Sequence, residues 1–251
     1  MTTATDPSLW LRSFHPQPSR PVQLVCFPHA GGSASFYFPV SAELSAVADV
    51  VTLQYPGRQD RRTETSPADL HELADLVHGA LRGVVGNRPT VFFGHSMGAT
   101  LAFEVTRRFE AEGTSPALLV ASGRRAPSCA RPEQVHRLDD EAVVAELTAL
   151  AGTDTAVLGD EEILRMVLPA IRSDYQAIET YRCPPDVTVT APVHVLTGDA
   201  DPKTTLEEAR AWERHTTGAF DLEVHPGGHF FLTSRAPQIL AWLRDRLTAL
   251  S

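Results

Sequence analysis

Short apolar runs alternate along this chain with longer stretches in which apolar residues recur at helical spacing. The runs VQLVCF (22–27), DVVTLQ (49–54), TVFF (90–93), ALLVA (117–121), VHVLT (193–197) and FDLEV (220–224) are four to six residues long, and most lie next to Pro or Gly. Most are apolar at neighbouring positions rather than at every second one, the pattern of strands covered on both faces. Between them, residues 69–85 place Leu70, Leu73, Leu76, Val77, Leu81 and Val84 on one helical stripe. Residues 97–112, ended by Gly113, and residues 206–215 and 237–250 also read as helices. Strands alternating with helices predict an α/β architecture, a mostly parallel sheet with helices on both faces. The rhythm breaks between Ser122 and Pro192, where only helical patterns occur, at 139–150 and 160–181. We read residues 124–186 as a helical insertion on the carboxyl edge of a single domain spanning 1–251. The first twenty residues, with Pro7, Pro16 and Pro18, read as an extended lead-in.

Composition narrows the class. The 251 residues are 43% hydrophobic and 21% charged, ordinary for a globular chain. The net charge of −9 opposes non-specific nucleic-acid binding. Cys26, Cys129 and Cys183 are odd in number and widely spaced, which fits neither a disulfide framework nor a CxxC metal site. The N-terminus lacks a basic segment followed by an apolar one, and no run reaches the roughly 18 apolar residues of a membrane span. The expectation is a cytoplasmic protein with no nucleic-acid or membrane partner.

Candidate chemistry begins at Gly94-His95-Ser96-Met97-Gly98, a G-x-S-x-G between the TVFF strand and the following helix. A sharp strand-to-helix turn there would lift the Ser96 hydroxyl above the sheet edge, at the positive end of the helix. A serine needs an adjacent base to become nucleophilic. Of ten histidines, His229 follows the last strand in Pro226-Gly227-Gly228-His229, where a loop could bring it to the sheet's carboxyl edge. The others lie within helices or strands or lack local context; His71 and His78, on one amphipathic helix, read as surface residues, and His95 is expected to pack beneath the turn. The base needs an acceptor. Asp199 and Asp201 both follow strand 193–197, and Asp201 is preferred because it lies further into the loop, before Pro202. Asp199 reads as a turn or capping residue. The order Ser96, Asp201, His229 is that of α/β-hydrolases. An oxyanion would need backbone donors, for which Met97 N–H and Ala30 N–H, in the loop Pro28-His29-Ala30-Gly31-Gly32, are the candidates. His29 either faces substrate or braces that loop.

With these segments assembled, the chain resembles the type II (external, stand-alone) thioesterases of polyketide and nonribosomal peptide biosynthesis. The resemblance rests on FPHAGGSAS (27–35), QYPGRQDR (54–61), FFGHSMGATLAFE (92–104), SDYQAIETYR (173–182), TGDADP (197–202) and PGGHFFL (226–232). It implies the α/β-hydrolase fold with a helical lid, and hydrolysis of acyl groups from the phosphopantetheine arm of carrier proteins, in trans, to edit or release aberrant chains. It makes Ser96 the nucleophile, Asp201 the acid and His229 the base, with no metal or bound cofactor, and it places Tyr175 in the lid. Leu147, Leu150, Val157, Leu158, Ile163, Met166 and Val167 are candidates for the lid or acyl channel. Carriers are commonly acidic, as is this chain, so docking calls for a local basic patch. Arg58, Arg61 and Arg62, or Arg124, Arg125 and Arg131, are the candidates, the alternative being internally paired arginines. The chain is expected to act as a monomer. A carboxylesterase or lipase, or an acyltransferase on the same triad, and a non-catalytic binder are the rival classes.

Overall fold

The computed structural model describes residues 6–150 and 161–251. Seven strands form one sheet: β1 (Leu11–Arg12), β2 (Gln23–Phe27), β3 (Asp49–Leu53), β4 (Thr90–His95), β5 (Leu118–Ser122), β6 (Val193–Gly198) and β7 (Phe220–His225). Their spatial order is β1-β3-β2-β4-β5-β6-β7, parallel throughout except for the antiparallel β1–β3 pair. Every residue of β2, β3, β4 and β6 is buried, which explains why these runs are apolar on both faces. Successive residues feed different cores. Val25, Phe27 and Phe92 pack with Phe103 and Trp212, whereas Leu24, Cys26, Val91 and Phe93 pack on the other face with Leu44 and Leu243.

The helices are α1 (Pro7–Trp10), α2 (Phe38–Leu44), α3 (Leu70–Leu81), α4 (Met97–Ala111), α5 (Asp140–Ala149), α6 (Glu161–Thr180), α7 (Leu206–Arg210), α8 (Phe231–Ser234) and α9 (Ala236–Ala249). The side chain of Asp69 caps α3, accepting from the N–H groups of His71 and Glu72 at 2.7 and 3.0 Å. The expected helix at 206–215 is α7 followed by a 3₁₀ segment, and a Thr205–Glu208 capping box starts it.

Three local readings differ from the sequence expectation. The lead-in is not simply extended: Asp6 caps α1, and Trp10 packs under the Arg61 guanidinium, 4.4 Å from the ring centroid. Helix α2 escapes the periodicity because only Ser41 and Leu44 in it are buried while Phe38 is exposed. His78 is buried against Phe109 rather than at the surface.

Between β5 and β6 the chain leaves the sheet. Helices α5 and α6 pack around a small core of their own, formed by Val135, Val143, Leu147, Leu168, Ile171 and Tyr175. No helix among the described residues is long and apolar enough to cross a membrane.

Candidate active site

Strand order alone marks one crevice. From β2 the chain moves outward to β3, then returns to β4 on the opposite side of β2. The loops leaving β2 and β4 therefore diverge, which opens a cleft at the carboxyl edge between them. The β2 loop carries His29 to Gly32, and the β4 turn carries Ser96.

Ser96 has φ 55° and ψ −121°, a conformation that L-residues rarely adopt. Its neighbours allow it. A Cβ on Gly94 would overlap the Gly98 carbonyl oxygen, and one on Gly98 would overlap that of Phe27. Strand, turn and helix therefore touch through bare backbone, and the start of α4 is pressed against the end of β2. The Ser96 N–H donates to Ser122 O at 2.8 Å, tying the turn to β5.

His229 and Asp201 converge on this serine from loops after β7 and β6. His229 Nε2 lies 3.0 Å from Ser96 Oγ, and His229 Nδ1 lies 3.0 Å from both carboxylate oxygens of Asp201. The imidazole is 4% exposed, so water competes little for these contacts. Asp201 Oδ1 also accepts the Lys203 N–H at 2.8 Å. Asp199 plays a different part. Its carboxylate accepts the Gly227 N–H at 2.9 Å and so holds the loop that presents His229.

Two further imidazoles crowd the site. The His95 ring centroid lies 5.1 Å from that of His229 and 6.0 Å from that of His29. Burial first, then the nearby charge of His229, lowers His29 to about 3 and holds His95 well below the ordinary range. Both stay neutral. Of the three, only His229 has a carboxylate to stabilise its charged form.

The cavity over Ser96 is lined by His29, Ala30, Arg124, Glu133, Leu147, Leu150, Tyr175, Ile178, Glu179, Lys203, His229 and Phe230. Met97 opens α4, so its N–H is one of the donors a helix leaves unsatisfied. Of the candidates for the lid or acyl channel, Leu147, Leu150 and Tyr175 line the cavity. Met166 does not: it is 49% exposed and is absent from the cavity wall. Nine residues separate it from Tyr175, about two and a half helical turns, so it sits on the opposite face of α6. Val167 packs against the insertion's own core, Ile163 is half-buried, and Val157 and Leu158 lie outside the described residues.

Of the arginines expected at a docking patch, Arg62 is exposed, but most of the others are internally paired. Arg58 is buried and paired with Asp174; Arg125 is buried and paired with Glu133; Arg61 and Arg131 pair with Glu64 and Glu208. Arg124 turns into the cavity, where burial, with Arg125 beside it, lowers its guanidinium to about 9. Arginines need partners when buried; Glu64 and Glu133 lie close by in sequence, whereas Asp174 and Glu208 come from remote segments that spacing cannot reveal. Sequence reasoning also misses Glu133, Ile178, Glu179, Lys203 and Phe230. The signal for two is present: Ile178 and Glu179 stand three and four residues beyond Tyr175, on the same helical face. No cluster of His, Cys, Asp and Glu among the described residues could hold a metal ion.

A parallel sheet with a strained serine at the crevice, backed by histidine and aspartate from later loops, defines the α/β-hydrolase fold. The chain belongs to the thioesterase domain family, which it matches over residues 22–247. It is 59% identical over 234 residues to a probable cadicidin biosynthesis thioesterase of Streptomyces griseus, covering 93% of this chain and 64% of that protein's length. It is 49% identical over 243 residues to thioesterase PikA5 of Streptomyces venezuelae, covering 96% of this chain and 86% of the relative. The structure of the type II thioesterase BorB from the borrelidin biosynthetic cluster superposes with a TM-score of 0.89 at 50% identity, covering 98% of this chain and 100% of that one.

Proposed function

We propose that this chain is a serine thioesterase that hydrolyses acyl groups from the phosphopantetheine arm of carrier proteins through an acyl-serine intermediate. The observation that carries the reading is the run of 3.0 Å contacts from Asp201 through His229 to Ser96, in a chain of the thioesterase family. Ser96 Oγ attacks the thioester carbonyl while His229 Nε2 takes its proton, and Asp201 steadies the imidazolium. The N–H groups of Ala30 and Met97 receive the oxyanion. The C–S bond breaks readily because the leaving thiol has a pKa of about 8.5, and the departing sulfur takes the proton held by His229, which returns to its neutral form. His229 then activates water to cleave the acyl-serine. The proton taken from water passes through His229 back to Ser96 Oγ, and the steps use only this chain's groups, the thioester and water.

The names of the relatives support a biosynthetic setting, in which the enzyme would act in trans on carrier domains, in the cytoplasm and as a monomer. Turnover of an acyl carrier protein against a matched oxygen ester tests the substrate class. The thioester on the carrier is expected to react at least ten-fold faster in kcat/KM, and Ser96→Ala to lose activity by more than a thousand-fold. Preference for the oxygen ester would reassign the chain as an esterase, and an active Ser96→Ala would end the reading.

A further inference from the structure

The loop after β2 and helix α6 are remote in sequence but share one buried carboxylate. Asp174, 1% exposed, accepts the Gly31 N–H at 2.8 Å and pairs with the Arg58 guanidinium, which is 5% exposed. Arg58 in turn donates to Pro56 O at 2.9 Å and lies over the Tyr55 ring. The Tyr55 hydroxyl donates to Pro28 O at 3.2 Å. The segment from Pro28 to Gly31 is thus gripped at both ends, by Tyr55 at one carbonyl and by Asp174 at one N–H. Ala30 lies inside the grip. Gly31 has φ +74°, and Ile171 of α6 would stand 2.9 Å from a Cβ placed there, so helix and loop pack without a gap.

A buried ion pair is weak evidence for stability, since an apolar pair of similar volume often serves as well. This pair does something an apolar one could not: it supplies an acceptor for one particular N–H. We infer that Asp174 is a positioning residue. From the helical insertion it sets the orientation of the β2 loop, so that the Ala30 N–H is aimed at the oxyanion only when α6 is seated. Arg58 balances the carboxylate, which keeps an uncompensated negative charge away from the place where the oxyanion forms. The inference rests on Ala30 being an oxyanion donor. It accounts for two motifs that the triad leaves unexplained, YPGR at 55–58 and SDY at 173–175.

The test compares two double variants that both remove the charges. Arg58→Met with Asp174→Asn keeps an acceptor for Gly31; Arg58→Met with Asp174→Leu does not. Each is measured on a butyryl thioester of N-acetylcysteamine, together with binding of a trifluoromethyl ketone, whose adduct carries an oxyanion, and of a non-reactive thioether analogue. The asparagine variant is expected to exceed the leucine variant by at least ten-fold in kcat and in ketone affinity, with KM and thioether affinity within about three-fold of each other, since a missing oxyanion donor costs rate rather than ground-state binding. Equal kcat in the two, with comparable thermal midpoints, would overturn the inference, as would losses shared equally by ketone and thioether. Failure of the underlying reading shows elsewhere: the unaltered protein would then fail to bind the ketone more tightly than the thioether, and the inference would fall with it.

Discussion

Ten histidines are available to this chain, and chemistry separates them by neighbours rather than by sequence position. His229 lies between a hydroxyl and a carboxylate, whereas His29, His95, His194 and His215 are buried and pushed below their ordinary pKa mainly by that burial. The sign of the consequence follows. Below pH 6.5 the unfolded chain takes protons that the folded chain refuses, so stability falls as pH drops. Each such histidine contributes up to about 1.4 kcal/mol per pH unit. Between pH 6.5 and 5 most carboxylates stay ionised, although Asp174, raised by its burial, acts in the opposite direction; thermal midpoints in that window therefore report mainly the histidines. They are expected to fall steadily, and His29→Gln to reduce the slope by about one proton; an unchanged slope would mean that His29 protonates in the folded state. The choice between the two aspartates is equally testable. Asp201→Asn should lower kcat by on the order of 10³–10⁴, because the amide can turn its NH2 to His229 Nδ1, which favours the wrong tautomer, and it no longer carries the charge that steadies the imidazolium. Asp199→Asn should cost under ten-fold, since an amide oxygen can still accept the Gly227 N–H. Similar losses in both would mean that Asp199 shares the acceptor role.

Strands and helices matter here mainly for where they end. Strand β4 stops at His95 and α4 starts at Met97, leaving Ser96 alone to make the turn. The two glycines of the motif are required by contact, not by flexibility. Gly98→Ala would push a methyl into the Phe27 carbonyl and separate α4 from the β2 loop. The expected result is a loss of at least a hundred-fold in labelling by an active-site phosphonate, with a destabilisation of about 1–3 kcal/mol, the range for overpacking. A methyl on Gly83 would meet nothing within 4 Å, so Gly83→Ala serves as the control, expected within about 0.5 kcal/mol of the parent. Equal behaviour of the two would remove the packing argument. The buried strands were legible because a run apolar on both faces has few alternatives. Helix α2 was not, because its apolar Phe38 is exposed and its buried Ser41 is polar.

At the scale of the whole molecule, the insertion is bound to the sheet by charge as well as by packing. Arg125, at the exit of β5, pairs with Glu133; Glu133 also meets Lys203, 3.3 Å away in the loop after β6; and Lys203 reaches Glu146 on α5. Arg125→Ala removes the most buried member. Glu133 keeps Lys203 and some water, so the cost should fall below the 3–5 kcal/mol of a fully stranded charge, about 2 kcal/mol. That corresponds to a thermal midpoint about 4–8 °C lower. Activity on a carrier-bound and on a small thioester should change by the same factor; a defect confined to the carrier would show that Arg125 takes part in docking. Sequence by itself determined the alternation of buried strands and helices, the serine turn with its glycines, and the order of serine, aspartate and histidine. Each is written within a few neighbouring residues, where period, turn chemistry and sterics act. Tertiary structure alone decided which arginines are spoken for, which face of α6 lines the cavity, and that Asp174 holds the loop beside Ala30. The pairs Arg58–Asp174 and Arg131–Glu208 and the contact of Asp174 with Gly31 join segments about 75 to 145 residues apart, and even the nearer pairs depend on how the loops fold back, which no local period encodes.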